Sequence, residues 1–199
     1  MSIVRHVPHM TREEFLDWAA AQEIRYEFDG FQPVAMVGGT RNHSQISQNI
    51  SFALRIRLRG TGCGPLGPDA GVATIGAAVR YPDALVTCTR GPGGDRVVPG
   101  VVVVFEVLSS TSGRTDRIEK VREYQAVPSI RRYVILESTS VGLTDHTRAQ
   151  AGDPWTTTTL TDGDVLRMPE IGIEIPIAEF YEDTDLLLPP DTAAAEGLR

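Results

Sequence analysis

Lysine is almost absent from this chain. It occurs once in 199 residues, at Lys120, whereas arginine occurs 18 times. A lysine that persists in such a composition indicates a place where arginine would not serve. The lysine ammonium is compact and its pKa responds to burial and to neighbouring charges, whereas the arginine guanidinium is planar and always charged. Chance is the alternative, because one leftover lysine on a helix surface needs no functional explanation.

Three further absences narrow the class of protein. The two cysteines, Cys63 and Cys88, have neither the spacing of metal ligands nor the density of a disulfide scaffold, so free thiols in a reducing cytoplasm are expected. No run approaches the roughly 18 apolar residues of a membrane span. Residues 1–10 lack the charged and then apolar pattern of an export signal. The sequence therefore predicts a cytoplasmic protein that does not contact a membrane.

The chain also lacks an excess of positive charge. Its formal net charge is −7, which argues against attraction of the whole surface to DNA or RNA, since nonspecific binding depends on cations that neutralise phosphates. Four arginines close in sequence could still form a local basic face: Arg41, Arg55, Arg57 and Arg59. A solvated helix face is the more ordinary explanation of such a cluster.

The apolar residues that are present predict one α/β domain over 1–199. The length suits a sheet covered by helices. Val101–Leu108 is the strongest strand, and its apolar residues run continuously instead of alternating, which indicates burial on both faces. Helices are therefore expected on both sides of this strand. The Pro- and Ala-rich tail, 189–199, is expected to fray.

An N-terminal helix and a β-hairpin are predicted first. Thr11 and Glu14 have the spacing of a capping box, which would start a short helix with Phe15 and Trp18 facing inward. Strands at 25–28 and 31–37 would be joined by a tight turn at Asp29-Gly30. Pro33 indicates that the second strand lies at an edge or begins late.

A longer helix is predicted from Asn42 to about Arg59, ended by the Gly- and Pro-rich stretch Gly60–Gly71. Its apolar residues recur every four positions and define a core face: Ile46, Ile50, Ala53, Leu54 and Leu58. A later helix would begin at Asp116 and end before Pro128. The remaining strands are predicted at 72–74, 79–86, 130–137, 144–147, 155–160 and 165–168.

Two acidic residues are candidates for chemistry. Glu106 is the one charge in the apolar strand, and a buried carboxylate needs a cation, a metal or several hydrogen bonds. A functional role is favoured over a structural ion pair with an arginine. Asp83 follows Tyr81-Pro82, where an aspartate serves a turn or cap as readily as a site.

Two further residues have an ordinary alternative. Glu27 lies in the first hairpin strand, where it could equally face solvent. His43 lies in the first turn of the longer helix, where a surface histidine is the commoner situation.

Lys120 lies four residues after Asp116 and four before Tyr124. Its ammonium could therefore pair with Asp116 along the helix, or lie at the edge of the buried side, near the strand of Glu106. Two carboxylates on adjacent strands can hold a hard divalent cation such as Mg²⁺. Such a cation stabilises charge that develops on a phosphate, and a nearby lysine can orient water or stabilise that charge.

The chain resembles the Uma-two family, which is similar to the PD-(D/E)xK restriction-endonuclease-like superfamily. The resemblance covers about 10–182 and is carried by several motifs in order: Met10–Phe15, Tyr26–Gly30, Asn42-His43, Val79–Asp83, Phe105–Ser109, Asp116–Lys120 and Glu123-Tyr124. It implies a central mixed β-sheet flanked by α-helices and a metal-dependent nuclease site.

The resemblance also implies roles for individual residues. Asp83 and Glu106 would be the metal ligands for Mg²⁺ or Mn²⁺, and Leu108 stands where the superfamily lysine is usual. The lysine role would then pass to Lys120. Accessory roles would fall to three residues: Glu27, from the hairpin; His43, near the metal or phosphate; and Asp116, which would cap the helix and steer Lys120.

The leading hypothesis is a Mg²⁺-dependent endonuclease acting on nucleic acid, most plausibly DNA, as a homodimer. A non-catalytic nucleic-acid or protein-interaction module with the same fold is the main alternative, motivated by the acidic charge. A carboxylate-pair hydrolase of another substrate, such as a glycoside, is a weaker third reading.

Overall fold

The centre of the fold is a six-stranded mixed sheet. The structure is a computed structural model that describes residues 10–108 and 115–187, and it does not describe the side chains of residues 115 and 116. In chain order the strands are β1 (Tyr26–Phe28), β2 (Pro33–Ala35), β3 (Gly64–Leu66), β4 (Val72–Ala73), β5 (Val79–Arg80), β6 (Ala84–Thr87), β7 (Val101–Val107), β8 (Arg132–Leu136), β9 (Leu143–Thr147), β10 (Thr156–Leu160), β11 (Val165–Met168) and β12 (Ile173–Pro176). The helical segments are α1 (Arg12–Ala20), α2 (Arg41–Arg57), a π-helical segment (Thr115–Lys120) that continues into α3 (Val121–Gln125), and a 3-10 helix (Ile177–Tyr181).

The six strands are ordered β10-β9-β8-β7-β6-β3. Within this sheet β7 and β8 are parallel, and the other neighbouring pairs are antiparallel. The π-helical segment and α3 lie in the crossover between the two parallel strands, as such a connection requires. A four-stranded sheet, β2-β1-β5-β4, and a ribbon, β11-β12, complete the β-structure. The predicted mixed sheet flanked by helices is confirmed.

Strand β7 is covered on both faces, as its continuous apolar sequence predicts. On one face Phe105 joins a buried cluster with Ile46 of α2 and Phe180 of the 3-10 helix. On the other face Val104 packs in a cluster with Tyr124 of α3. Successive side chains of β7 therefore pack into different hydrophobic clusters on opposite faces of the sheet. Glu106 lies on the face that α3 covers.

The N-terminal helix and hairpin are formed as expected. Thr11 and Glu14 make both bonds of a capping box, and Phe15 stacks on Phe28 with ring centroids 4.9 Å apart. Strand β2 begins at Pro33 and lies at the edge of its sheet. The connection is longer than the predicted tight turn, since four residues, 29–32, separate the paired ends of the two strands.

Several predicted boundaries are wrong for local reasons. Helix α2 begins at Arg41 and not at Asn42, because Thr40 is the N-cap and its hydroxyl accepts a hydrogen bond from the His43 amide. The single strand predicted at 79–86 is two strands in different sheets, β5 and β6. Pro82, which cannot donate to a ladder, lies in the break between them. Strands β3 and β12 and the 3-10 helix were not predicted.

The expectation of free thiols is also wrong. Cys63 and Cys88 form a disulfide, with Cα atoms 3.9 Å apart. Gly64 of β3 is the Cα partner of Thr87 of β6, so the next residues outward, the two cysteines, lie opposite each other. Because β3 was not recognised in the Gly- and Pro-rich stretch, nothing in the sequence brought these positions together.

The structure does not test the expected fraying of the tail or the expected single domain. The tail 189–199 lies outside the described residues, and a single domain over 1–199 stays a prediction. No helix within 10–108 or 115–187 is both long and apolar enough to cross a membrane.

Candidate active site

The strand register brings Asp83 and Glu106 together. Ala84 of β6 is the Cα partner of Phe105 of β7, so one further step along the antiparallel pair sets Asp83 opposite Glu106. Residues directly opposite each other point to the same side of a sheet. Both residues line a cleft of about 600 Å³, which Glu27, His43 and Lys120 also line. Five of the six residues predicted to form a site therefore meet in one place.

Glu106 is buried and hydrogen-bonded. Its residue is 5% exposed, and its Oε1 atom accepts from Lys120 Nζ at 2.9 Å and from the Tyr124 hydroxyl at 3.1 Å. Lys120 and Tyr124 are one helical turn apart and therefore share a face. The predicted cation is present, and it is the lysine rather than an arginine.

Lys120 lies between two carboxylates. Its Nζ is 3.1 Å from Glu27 Oε1 in addition to its contact with Glu106, and the residue is 6% exposed. It lies inside the buried side of the helix, deeper than the predicted edge. The predicted pairing of Lys120 with Asp116 is not tested, because the side chain of Asp116 lies outside the described residues.

Glu27 faces inward, so the solvent-exposed alternative is wrong. One carboxylate oxygen, Oε1, accepts from the Tyr81 amide at 3.2 Å, and the other, Oε2, accepts from Arg80 Nη1 at 3.2 Å. Strand β1 supplies Glu27, and its neighbour β5 ends at Arg80. The small N-terminal sheet thus delivers one acid and one cation to the cleft.

Arg80 is the main site residue that sequence reasoning missed. It is 2% exposed, and it donates from Nε and Nη2 to the two oxygens of Glu123 at 2.7 and 2.6 Å. Thr74 donates its hydroxyl to Glu123 as well, at 3.0 Å. Burial lowers the pKa of Arg80, but the bonds to Glu123 and the negative charges of Glu27 and Glu123 raise it by more. The one sequence feature that could have indicated a role for Arg80 was its place inside the motif Val79–Asp83.

Asp83 is held by the backbone of β7 and by α2. Its Oδ2 accepts from the Val107 amide at 2.7 Å, and its Oδ1 accepts from the Ser47 hydroxyl at 3.2 Å. Burial raises the pKa of Asp83, and the charges of His43 and Lys120 and these two hydrogen bonds offset that rise only in part. Asp83 is not a turn or cap residue, the alternative that the sequence left open.

His43 extends from the first turn of α2 towards Asp83. Its Nε2 lies 3.6 Å from Asp83 Oδ1, which is too long for a hydrogen bond. A Cβ atom on Gly39 would lie 2.6 Å from the His43 ring. The lack of a side chain at position 39 therefore leaves room for the imidazole beside the cleft.

The site contains oxygen donors but no complete cage for a metal. Within the described ranges, no three His, Cys, Asp or Glu side chains are grouped so that they could hold one metal ion. Mg²⁺ does not need such a cage, since it keeps several waters and binds through one or two carboxylates. Asp83 uses two of the roughly four lone-pair sites of a carboxylate for Val107 and Ser47. The donor chemistry therefore fits a partly hydrated hard cation.

A mixed sheet that presents two opposed acids and a lysine at one cleft defines a restriction-endonuclease-like α/β protein. The chain matches, over residues 12–178, the model of the Uma2 family, whose description is "Putative restriction endonuclease". It belongs to that family.

Two known proteins are similar to this chain, one in sequence and one in fold. The chain is 30% identical over 176 residues to an uncharacterized protein of Synechocystis sp. (strain ATCC 27184 / PCC 6803 / Kazusa), covering 87% of this chain and 92% of that protein. The fold is similar to a crystal structure described as "a putative nuclease belonging to DUF820" from Anabaena variabilis ATCC 29413, with a TM-score of 0.65 and 14% identity over 86% of this chain and 97% of the other.

Proposed function

We propose that this protein is a Mg²⁺- or Mn²⁺-dependent endonuclease that hydrolyses phosphodiester bonds in DNA. The observation that carries the proposal is the meeting of Asp83, Glu106 and Lys120 at one cleft. Family membership supports a nuclease, and the site residues support the metal. The proposal includes a homodimer, because cyclic dimers are the commonest oligomers. A cytoplasmic location stays a prediction from the sequence, and the disulfide between Cys63 and Cys88 argues against it because such bonds are rare in the cytosol.

The charges around the cleft support a divalent cation. Four carboxylates lie in or beside the cleft: those of Glu27, Glu106 and Glu123, which are buried, and that of Asp83, whose side chain is 15% exposed. Two basic side chains, Arg80 and Lys120, contact three of these carboxylates. Asp83 is the fourth; desolvation raises the pKa of its carboxyl, and a bound cation would offset that rise by favouring the ionised form. Asp83 and Glu106 would hold the metal, which would stabilise charge on the phosphate and acidify a bound water.

The protein's own side chains have distinct roles in this proposal. Lys120 directs its ammonium at Glu27 and Glu106, and from this position its positive charge would stabilise charge that develops on the phosphate. The Tyr124 hydroxyl donates to Glu106 and keeps that carboxylate in place. Burial, followed by the charge of Glu106, raises the pKa of Tyr124, which keeps its proton on the oxygen.

One observation favours a non-catalytic module with the same fold. Glu106 and Lys120 satisfy each other at 2.9 Å, and a buried ion pair of this kind can be purely structural. The formal charge of −7 also disfavours tight binding of a long duplex. Metal binding and cleavage distinguish the two functions.

Cleavage is tested by incubating the purified protein with plasmid and linear DNA in Mg²⁺ or Mn²⁺. We expect cleavage by the natural protein, loss in Glu106→Ala and Lys120→Ala, and no loss in Glu174→Gln. Glu174 is a suitable control because its carboxylate is exposed on the β11-β12 ribbon. Cleavage that persists in both site variants would come from a contaminant, and the proposal would fail.

Metal binding is tested by calorimetric titration with Mg²⁺. We expect heat of binding for the natural protein and none for Asp83→Asn, because the amide has lost the negative charge that holds the cation. Absence of binding in the natural protein would favour the non-catalytic module. Light scattering tests the homodimer, since the monomer has a mass of 21.7 kDa.

A further inference from the structure

A second groove leaves the cleft and runs along α2. It has a volume of about 760 Å³. The groove and the cleft share four lining residues, Gly39, His43, Pro68 and Asp83. The two depressions are therefore adjacent, and the groove reaches Asp83.

One stripe of α2 forms a wall of this groove. Ser44, Gln48, Phe52 and Arg55 follow each other at intervals of four, four and three residues, so they share a helical face. This face is distinct from the buried one that carries Ile46, Ile50 and Leu54. At a rise of about 1.5 Å per residue the stripe is about 16 Å long, which corresponds to about five nucleotides at the stacked spacing of one strand.

Phe52 is the aromatic residue of this solvent-facing stripe. The residue is 67% exposed, and most of the groove around it is lined by hydroxyl and amide side chains, among them Ser44, Gln48 and Ser51. An exposed aromatic ring beside polar groups provides a flat surface on which an unpaired base can stack. Base stacking on such a ring tolerates any sequence, because every base has a π-face.

The charge of the groove is too small to hold a duplex, and it is the aromatic ring of Phe52 that favours an unpaired strand. Among the described residues that line it, Arg55 is the one side chain with a permanent positive charge and Asp83 the one carboxylate. A duplex is held chiefly by many phosphate contacts, which one arginine on a chain of net charge −7 does not supply. A stacking ring with one cation beside it matches single-strand recognition.

We propose that this groove binds an unpaired segment of nucleic acid and leads it to Asp83 and Glu106. Phe52 stacks on a base and Arg55 contacts a phosphate. The choice of nucleic acid as occupant rests on the proposed function; the choice of a single strand rests on the stripe of α2. The substrate class would then be nucleic acid with a single-stranded region, such as an overhang, a flap or a gap.

Binding is tested with a fluorescein-labelled 12-nucleotide oligo-dT by anisotropy, in EDTA so that no cleavage occurs. The variants are Phe52→Ala and Arg55→Gln. Their matched controls lie outside the groove. Ile56→Ala removes an exposed apolar side chain near the end of α2, and Arg59→Gln removes an exposed arginine two residues beyond that end.

We expect Phe52→Ala to weaken binding by about 5- to 150-fold, the range of one base stack, and Ile56→Ala to leave it unchanged. Arg55→Gln is expected to reduce the slope of log affinity against log salt by about 0.7, the value for one phosphate of a single strand. Arg59→Gln is expected to leave that slope unchanged. A self-complementary duplex probe of the same length should bind more weakly than the oligo-dT.

Equal binding of Phe52→Ala and Ile56→Ala, or duplex binding as tight as single-strand binding, would overturn the groove proposal. So would light scattering that shows a dimer broken by both apolar variants, because the stripe would then be an interface between copies. The two proposals fail separately. Phe52-dependent binding without any metal-dependent cleavage would sink the nuclease alone, whereas Glu106-dependent cleavage that Phe52→Ala leaves untouched would sink the groove alone.

Discussion

Arg80 and Glu123 join the N-terminal sheet to the helix that carries Lys120. The guanidinium donates to both oxygens of the carboxylate at 2.7 and 2.6 Å, although the residues are 43 positions apart in the chain. A third nitrogen of Arg80 reaches Glu27, which in turn contacts Lys120. Arg80 thus acts on the candidate site through Glu27, as a positioning residue.

Removing Arg80 should destabilise the protein strongly. Arg80→Ala would leave Glu27 and Glu123 buried without that cation, and breaking a buried pair in this way costs about 3–5 kcal/mol. We expect a corresponding fall in the free energy of unfolding, measured with urea. The control is Arg96→Ala, which breaks an exposed pair with Asp17 at 2.8 Å and should cost at most about 1 kcal/mol. Equal losses in the two variants would contradict the role of Arg80.

Replacing Lys120 with arginine keeps the positive charge at position 120 and changes the shape of the cationic group. The ammonium lies between Glu27 and Glu106, with 7% of its side chain exposed, and a planar guanidinium does not fit the same contacts. If the ammonium stabilises charge on the phosphate, Lys120→Arg should lower the rate of DNA cleavage by about 100-fold or more. Initial rates measure this, with circular dichroism to verify folding.

The matched control for that substitution is Arg122→Lys, which exchanges the same two residue types on the same helix at an exposed position. It should cleave at the natural rate. An unchanged rate in Lys120→Arg would mean that any cation suffices at position 120, and the specific role of the ammonium would be lost.

The parts of the fold with a strong local pattern could be predicted from the sequence. The continuous apolar run of β7 and the four-residue repeat of α2 each imply their burial without reference to the rest of the chain. Strand β3 could not be predicted in this way, because Gly64-Pro65-Leu66 has no periodic pattern and pairs with β6 alone. The disulfide was missed for the same reason, since it joins residues that only this pairing brings together.

The candidate site was predictable where a residue contradicted its surroundings. Glu106 is a charge in an apolar strand, and Lys120 is the one lysine in the chain. Arg80 has no such mark, because it is one of 18 arginines and its partners are 43 and 53 residues away. A network of this kind depends on how two sheets and a helix pack, which local patterns do not contain.

The disulfide between Cys63 and Cys88 should stabilise the protein measurably. It joins residues with a sequence separation of 25, and closing a loop of that size stabilises the folded state by about 3.5 kcal/mol through the lost entropy of the unfolded chain. We expect a reductant to lower the free energy of unfolding by that order. The same reductant should have no effect on a Cys63→Ser/Cys88→Ser variant. Two titratable thiols in the unfolded, unreduced protein would show that the bridge is absent and that the free-thiol expectation was right.

Asp83→Asn should stabilise the metal-free protein at neutral pH and do so less in acid. Burial raises the pKa of Asp83 in the folded state, so between its unfolded and folded pKa values the folded state holds more protons. The free energy of unfolding therefore falls as pH rises through that window. Asparagine does not ionise, and its amide oxygen can still accept from the Val107 amide. Urea unfolding is measured in a chelator from acidic to neutral pH. The free energy of unfolding of the variant, relative to that of the natural protein, should increase as pH rises.

The control for this substitution is Asp153→Asn, which also alters a carboxylate that accepts a backbone hydrogen bond, from Gln150 at 2.9 Å, but at an exposed position. The difference in free energy of unfolding between this variant and the natural protein should not change with pH. Adding Mg²⁺ should then reverse the order at neutral pH, because a ligand that binds only the folded state stabilises it and Asp83→Asn cannot hold the cation. A stability difference that does not change with pH would contradict the raised pKa of Asp83. A pH-dependent gain that Mg²⁺ leaves untouched would place Asp83 outside the metal site.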